Sequence, residues 1–178
     1  MAEKRKIVLY ISMSLDGFIA DENDDLSFLS MVESEGEDYG YFDFIKTVDT
    51  YIVGRKTYSK IMELVGEFPQ AKTHDCYIIT RQNIPNQESL TFYNGDISDL
   101  IQTIRQSKGK DIYCDGGGEI VKLLMDNQLI DRFIISVIPT ILGKGKRLFI
   151  GDTKPNNLKL VSTKAFEKGL VQLQYERI

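Results

Sequence analysis

Within eight residues, Tyr51-Ile-Val-Gly-Arg-Lys-Thr-Tyr58 passes from an apolar run to a helical pattern through a single glycine. Consecutive apolar residues suit a strand buried on both faces. After it, Tyr58, Ile61, Met62 and Val65 recur at helical spacing and form one apolar stripe. A buried strand that hands directly to a helix is the unit of a sheet with helices on its faces. The junction also constrains chemistry. A glycine at a strand-to-helix turn lets backbone approach a ligand, and the helix N-terminus behind it favours an anion. Arg55, Lys56 and Thr57 follow at once, a set suited to holding phosphate.

The rest of the chain repeats this alternation. Strands are predicted at Ile7 to Ser12, Thr50 to Val53, Cys76 to Thr80, Leu90 to Tyr93, Asp111 to Cys114 and Arg132 to Ile138. Helices are predicted around Tyr41, Phe44, Ile45 and Val48, and around Ile120, Leu123 and Leu124. Another carries Ile97, Leu100, Ile101 and Ile104, with Asp96 as its N-cap. Leu158 to Phe166 and Leu170 to Tyr175 read as two strands joined by a turn at Glu167-Lys-Gly169. The expected architecture is α/β: a mixed, mostly parallel sheet flanked by helices and closed by a C-terminal antiparallel hairpin. No linker or repeat interrupts it, so residues 1–178 are expected to form one domain.

Composition narrows the functional classes. A net charge of -4 argues against a broad nucleic-acid surface but leaves room for a local cationic pocket. Ile7-Val-Leu-Tyr-Ile11 is too short for a signal sequence or a membrane span. Cys76 and Cys114 stand alone in apolar runs, as small buried hydrophobes of a reducing cytoplasm do. His74 is the single histidine, so a zinc site or a Ser-His-Asp triad would rest on it alone. No metal is expected.

Three strand ends stand out as ligand-facing: Gly54-Arg-Lys-Thr57, Thr80-Arg81 and Gly116-Gly-Gly-Glu119. Ligands of open α/β sheets bind beyond the carboxyl ends of the strands. Two glycine turns at helix starts offer two sets of backbone N–H groups to a pyrophosphate. Arg55 and Arg81 could clamp a further phosphate. The triplet is not GxGxxG, and no acidic residue stands at the ribose-binding spacing, which disfavours a standard dinucleotide fold.

Ile52-Val-Gly-Arg-Lys-Thr-Tyr58, Tyr77-Ile-Ile-Thr-Arg81 and Ile112-Tyr-Cys-Asp-Gly-Gly-Gly118 resemble the cofactor motifs of dihydrofolate reductase, in the same order. Ser14-Leu-Asp-Gly-Phe-Ile-Ala20 and Leu142-Gly-Lys-Gly-Lys-Arg-Leu-Phe149 resemble the reductase domain of riboflavin biosynthesis. The resemblance runs from about Lys6 to Tyr175. It implies a dihydrofolate-reductase-like three-layer fold with a sheet of about eight strands, and NADPH as hydride donor. Gly54, Arg55, Lys56 and Thr57 would hold cofactor phosphates, and Thr80 and Arg81 the 2′-phosphate. Gly116, Gly117, Gly118 and Glu119 would bracket the pyrophosphate, with a cis Gly116–Gly117 bond. Ile19 and Ala20 would lie against the nicotinamide.

The substrate side leaves alternatives open. Asp38 stands near the place of the pterin-gripping carboxylate, with Asp43 as a rival and a solvated acid as the plain reading of both. Asp16 either meets substrate or makes an Asp-Gly turn. Asp115 replaces the apolar residue that folate reductases carry before the triplet. It could accept from a ring N–H, or donate a proton if burial raises its pKa. Lys144, Lys146 and Arg147 would meet a substrate phosphate or form a solvated loop. The expectation is a cytoplasmic, homodimeric NADPH-dependent reductase of a small pterin-like or pyrimidine-like molecule, without nucleic-acid or membrane partners. A non-catalytic NADPH-binding protein on the same fold is the alternative.

Overall fold

The computed structural model describes residues 4–152 and 154–178. The chain runs β1 (Ile7–Ser14), β2 (Phe18–Ala20), α1 (Tyr41–Ile45), β3 (Val48–Gly54), α2 (Arg55–Val65), β4 (Asp75–Ile79) and β5 (Leu90–Tyr93). It continues through α3 (Ile97–Gln106), β6 (Asp111–Gly116), α4 (Gly118–Asp126), β7 (Arg132–Ile138), β8 (Lys146–Arg147), β9 (Leu158–Ala165) and β10 (Val171–Arg177). Eight strands form one sheet in the order β5-β4-β3-β6-β1-β7-β10-β9. Pairing is parallel from β5 to β7, and β10 runs antiparallel to both β7 and β9.

The central strands are apolar at consecutive positions because each of their faces carries a separate core. Ile7, Leu9, Ile52, Ile112 and Cys114 pack with Leu100, Ile104, Val121 and Leu124 from α3 and α4. Val8, Tyr51, Val53 and Tyr113 pack with Phe44 and Tyr58 from α1 and α2. The result is helices, sheet and helices in three layers, as expected from the alternation. Asp96 caps α3 as predicted, its carboxylate accepting from the backbone N–H of Ser98 at 2.7 Å. The hairpin turn also forms as predicted, with Gly169 at φ +85°.

Several boundaries move. Val48 opens β3 instead of continuing the helix, which makes a single turn before the chain reverses at Lys46 and Thr47. Thr80 lies just past β4, and β6 extends through Gly116. Lys146 and Arg147 pair with β2 in a small antiparallel ribbon. Two charged residues carry no strand pattern, so only tertiary pairing reveals β8.

A buried guanidinium ties the amino-terminal end of the sheet together. Arg5 donates to the Lys110 and Ile104 carbonyls and to Ser107 Oγ and Thr50 Oγ1 at 2.6–3.1 Å, and pairs with Asp49. Truncation would strand these acceptors, although Asp49 keeps access to water. Arg5→Ala is therefore expected to lower unfolding free energy by about 3 kcal/mol. Urea denaturation checks this; a loss under about 1 kcal/mol would mean water replaces the network.

Candidate active site

Parallel pairing of β4, β3, β6 and β1 brings four carboxyl ends to one edge of the sheet. At that edge α2 starts directly from β3, and α4 starts one residue after β6. The two helix starts touch. The Gly117 N–H donates to Thr57 Oγ1 at 3.2 Å, and a Cβ on Gly54 would lie 2.8 Å from Ile120 Cγ1. Neither helix has a side-chain acceptor at its N-cap. Their first-turn N–H groups and positive dipole ends are thus directed to one place.

Cations surround this place. Arg55 donates to Gln82 Oε1 at 2.8 Å and to Ser59 Oγ at 3.2 Å, so it reaches across to the end of β4. Lys56 pairs with Glu119 at 2.6 Å. Lys56 holds the Glu119 carboxyl below its usual range, with Arg81 and Lys146 adding to the effect. Thr80 is buried, and its hydroxyl accepts from the Gln82 N–H at 3.0 Å. The Gly116–Gly117 peptide is cis. Ile19 packs over Gly117, and a Cβ on Gly118 would fall 2.6 Å from the Arg147 carbonyl oxygen. The triplet therefore leans on the β2–β8 ribbon, where Ala20 is buried. The structure thus brings together Ile19, Ala20, Gly54, Arg55, Lys56, Thr57, Thr80, Arg81 and Gly116 to Glu119.

The candidate carboxylates occupy different settings. Asp16 accepts from Ser14 Oγ at 2.6 Å and from the backbone N–H groups of Gly143 and Leu142 at 2.7 and 3.1 Å. The Ser14 hydroxyl, then these N–H groups, hold its carboxyl below the usual range. Asp38 accepts from the N–H groups of Phe42 and Gly40 at 2.7 and 3.0 Å, which lower its pKa and secure the start of α1. Asp43 is exposed and pairs with Lys46.

Asp115 is half-buried. Its Oδ1 accepts from the Tyr113 hydroxyl at 2.8 Å, and Tyr51 lies nearby and also acts on the carboxyl. Burial pushes the carboxyl up to about 6, against the pull of Tyr113 and then Tyr51. The two rings are 4.5 Å apart on neighbouring strands, with Tyr41 adjoining Tyr51. Sequence reading took Tyr51 and Tyr113 only as strand residues. Tyr113 and Asp115 stand two apart on β6 and so share a face, a spacing that marks Tyr113 as a partner.

The basic group after Gly143 is engaged with acids. Lys144 pairs with Glu22 at 2.6 Å and Lys146 with Asp24 at 3.1 Å. Arg147 lies over the Phe18 ring, 4.5 Å from its centroid. No helix among the described residues is long and apolar enough to cross a membrane.

The comparisons agree with this architecture. The family model of the RibD C-terminal domain matches residues 5–172. The uncharacterized protein YwjB of Bacillus subtilis (strain 168) is 44% identical over 176 residues, covering 98% of this chain and 99% of that protein. A proposed riboflavin biosynthesis protein from Shewanella sp. PV-4 has TM-score 0.87 at 22% identity, over 97% of this chain and 99% of the other. Dihydrofolate reductase from Enterococcus faecalis, complexed with NADP(H) and RAB-propyl, has TM-score 0.62 at 18% identity, over 97% and 96%. The fold is dihydrofolate-reductase-like, and with its family model matched almost end to end, the chain belongs to the RibD C-terminal domain family.

Proposed function

We propose that this chain is an NADPH-dependent reductase that passes a hydride to a small pterin-like or pyrimidine-like heterocycle. One observation carries the reading: two uncapped helix N-termini and three cations converge beside a half-buried carboxyl of raised pKa. The donor set fits a dinucleotide phosphate. Backbone N–H groups of α2 and α4 suit the pyrophosphate, Arg55 and Arg81 suit the 2′-phosphate, and Ile19 and Ala20 offer an apolar wall to the nicotinamide. NADPH supplies the hydride when bound. The chain's own residues orient the reactants and provide the proton. Tyr113 engages Asp115 Oδ1, and a proton held at Oδ2 is available to a ring nitrogen of the substrate.

Thermal shift with NADPH and NADH separately tests the cofactor half. NADPH should stabilise the protein more. Arg81→Ala should weaken NADPH about 10- to 100-fold, as expected for one charge-assisted phosphate contact, and NADH by under about twofold. Equal losses would remove Arg81 from the 2′-phosphate role. Oxidation of bound NADPH by dihydrofolate or by a 6-ribosylaminopyrimidine supports the enzyme. Tight binding with no oxidation by any heterocycle supports the non-catalytic alternative.

A further inference from the structure

The two halves of the site carry opposite charge. On the cofactor half, Lys56 pairs with Glu119, Arg81 also acts on that carboxylate, and Arg55 donates to the neutral Gln82 and Ser59. On the ribbon, five carboxylates between residues 16 and 25 stand against three cations between residues 143 and 147. Two of those cations are already paired, with Glu22 and Asp24, and the third lies on Phe18 and donates to the Asp16 carbonyl at 3.3 Å.

The surroundings of Asp115 continue the pattern. Tyr10 of β1, Tyr41 of α1, Tyr51 of β3 and Tyr113 of β6 form one aromatic cluster beside it. Asp38 and Glu37, from the segment before α1, act on Tyr10 and raise its pKa further after burial. Among the described residues, no Lys or Arg makes an ion pair with Asp115. An incoming phosphate would meet five carboxylates here, and of the three nearby cations only Arg147 lacks a carboxylate partner among the described residues. A ring N–H or amino group would meet acceptors.

Resting on the reductase reading, we propose that the reducible ligand is an unphosphorylated, donor-rich heterocycle, and that this half-site discriminates against its phosphorylated form. On binding, the ionised Asp115 accepts the ring N–H or amino group, its protonated form serves the reduction step, and Tyr113 holds the carboxyl in place. The acid–base pairs of the ribbon deny Lys144 and Lys146 to a phosphate.

The test is calorimetric titration of a 6-ribosylaminopyrimidine and its 5′-phosphate into the full chain, with and without saturating NADP⁺. The unphosphorylated compound is expected to bind at least about tenfold more tightly. Asp115→Asn should weaken it about tenfold or more. Glu22→Gln combined with Asp24→Asn should improve the 5′-phosphate about three- to tenfold by releasing Lys144 and Lys146, with the unphosphorylated form unchanged. Tighter binding of the 5′-phosphate to the unaltered chain, or binding of neither compound, overturns the proposal. Failure of NADP⁺ to bind while the preference persists overturns the cofactor reading instead.

Discussion

Asp115→Asn is expected to lower kcat about 10²- to 10³-fold, within the range that a positioned general acid contributes, while NADPH affinity changes by under about twofold. Asparagine keeps the size and the acceptor for Tyr113 but carries no transferable proton. The proposed donor form of Asp115 is the protonated one, with a pKa pushed up to about 6. In the unaltered protein kcat should therefore fall as pH rises through about 6, and the variant should lose that limb of the profile. Stability gives a readout independent of activity. The folded pKa is raised, so the folded state holds the proton more tightly than the unfolded chain. Its contribution is fully present below about pH 4 and is lost as pH rises through about 6. The shift of about two units corresponds to on the order of 2–3 kcal/mol. Urea denaturation should thus show Asp115→Asn gaining stability relative to the unaltered protein between pH 4 and 7. A constant difference across that range would mean Asp115 titrates normally, and a pH-independent kcat would remove it as the proton source.

Gly145→Ala is expected to cost about 2–4 kcal/mol and to weaken NADPH about tenfold or more. The residue sits at φ +143°, and a Cβ there would fall 2.2 Å from the Ala20 carbonyl oxygen and 3.0 Å from Asp21 Cα. Both neighbours are backbone, so no side chain can swing away. The ribbon would have to part at the residues proposed to face the nicotinamide. Gly143→Ala supplies the control. It has φ +75° with open space around it, and should cost only about 1 kcal/mol for its left-handed backbone. Thermal unfolding and NADPH titration of both variants separate close approach from backbone strain. Equal losses would show that the contact with Ala20 is relieved easily.

The legible parts of the sequence were those whose cause is local. Val8, Tyr51 and Tyr113 stand in continuous apolar runs because both faces of their strands are covered. The Gly54 and Gly116 turns mark helix starts because a Cβ on Gly54 would crowd Ile120 and Gly116 takes φ +95°. β8 was hidden because two charged residues have no strand signature until β2 lies beside them.

By itself, then, the sequence determined the layered sheet and the glycine turns at the helix starts, since hydrophobic period and turn chemistry are properties of neighbouring residues. The tertiary structure alone decided the acidic half of the site. It bonded the Asp16 carboxylate to Leu142 and Gly143, paired Lys146 with Asp24, and set Asp115 against the Tyr113 hydroxyl with Tyr51 nearby. The physical reason is that a carboxylate's charge state and reach depend on desolvation and on partners distant in the chain, which exist only once the strands have paired.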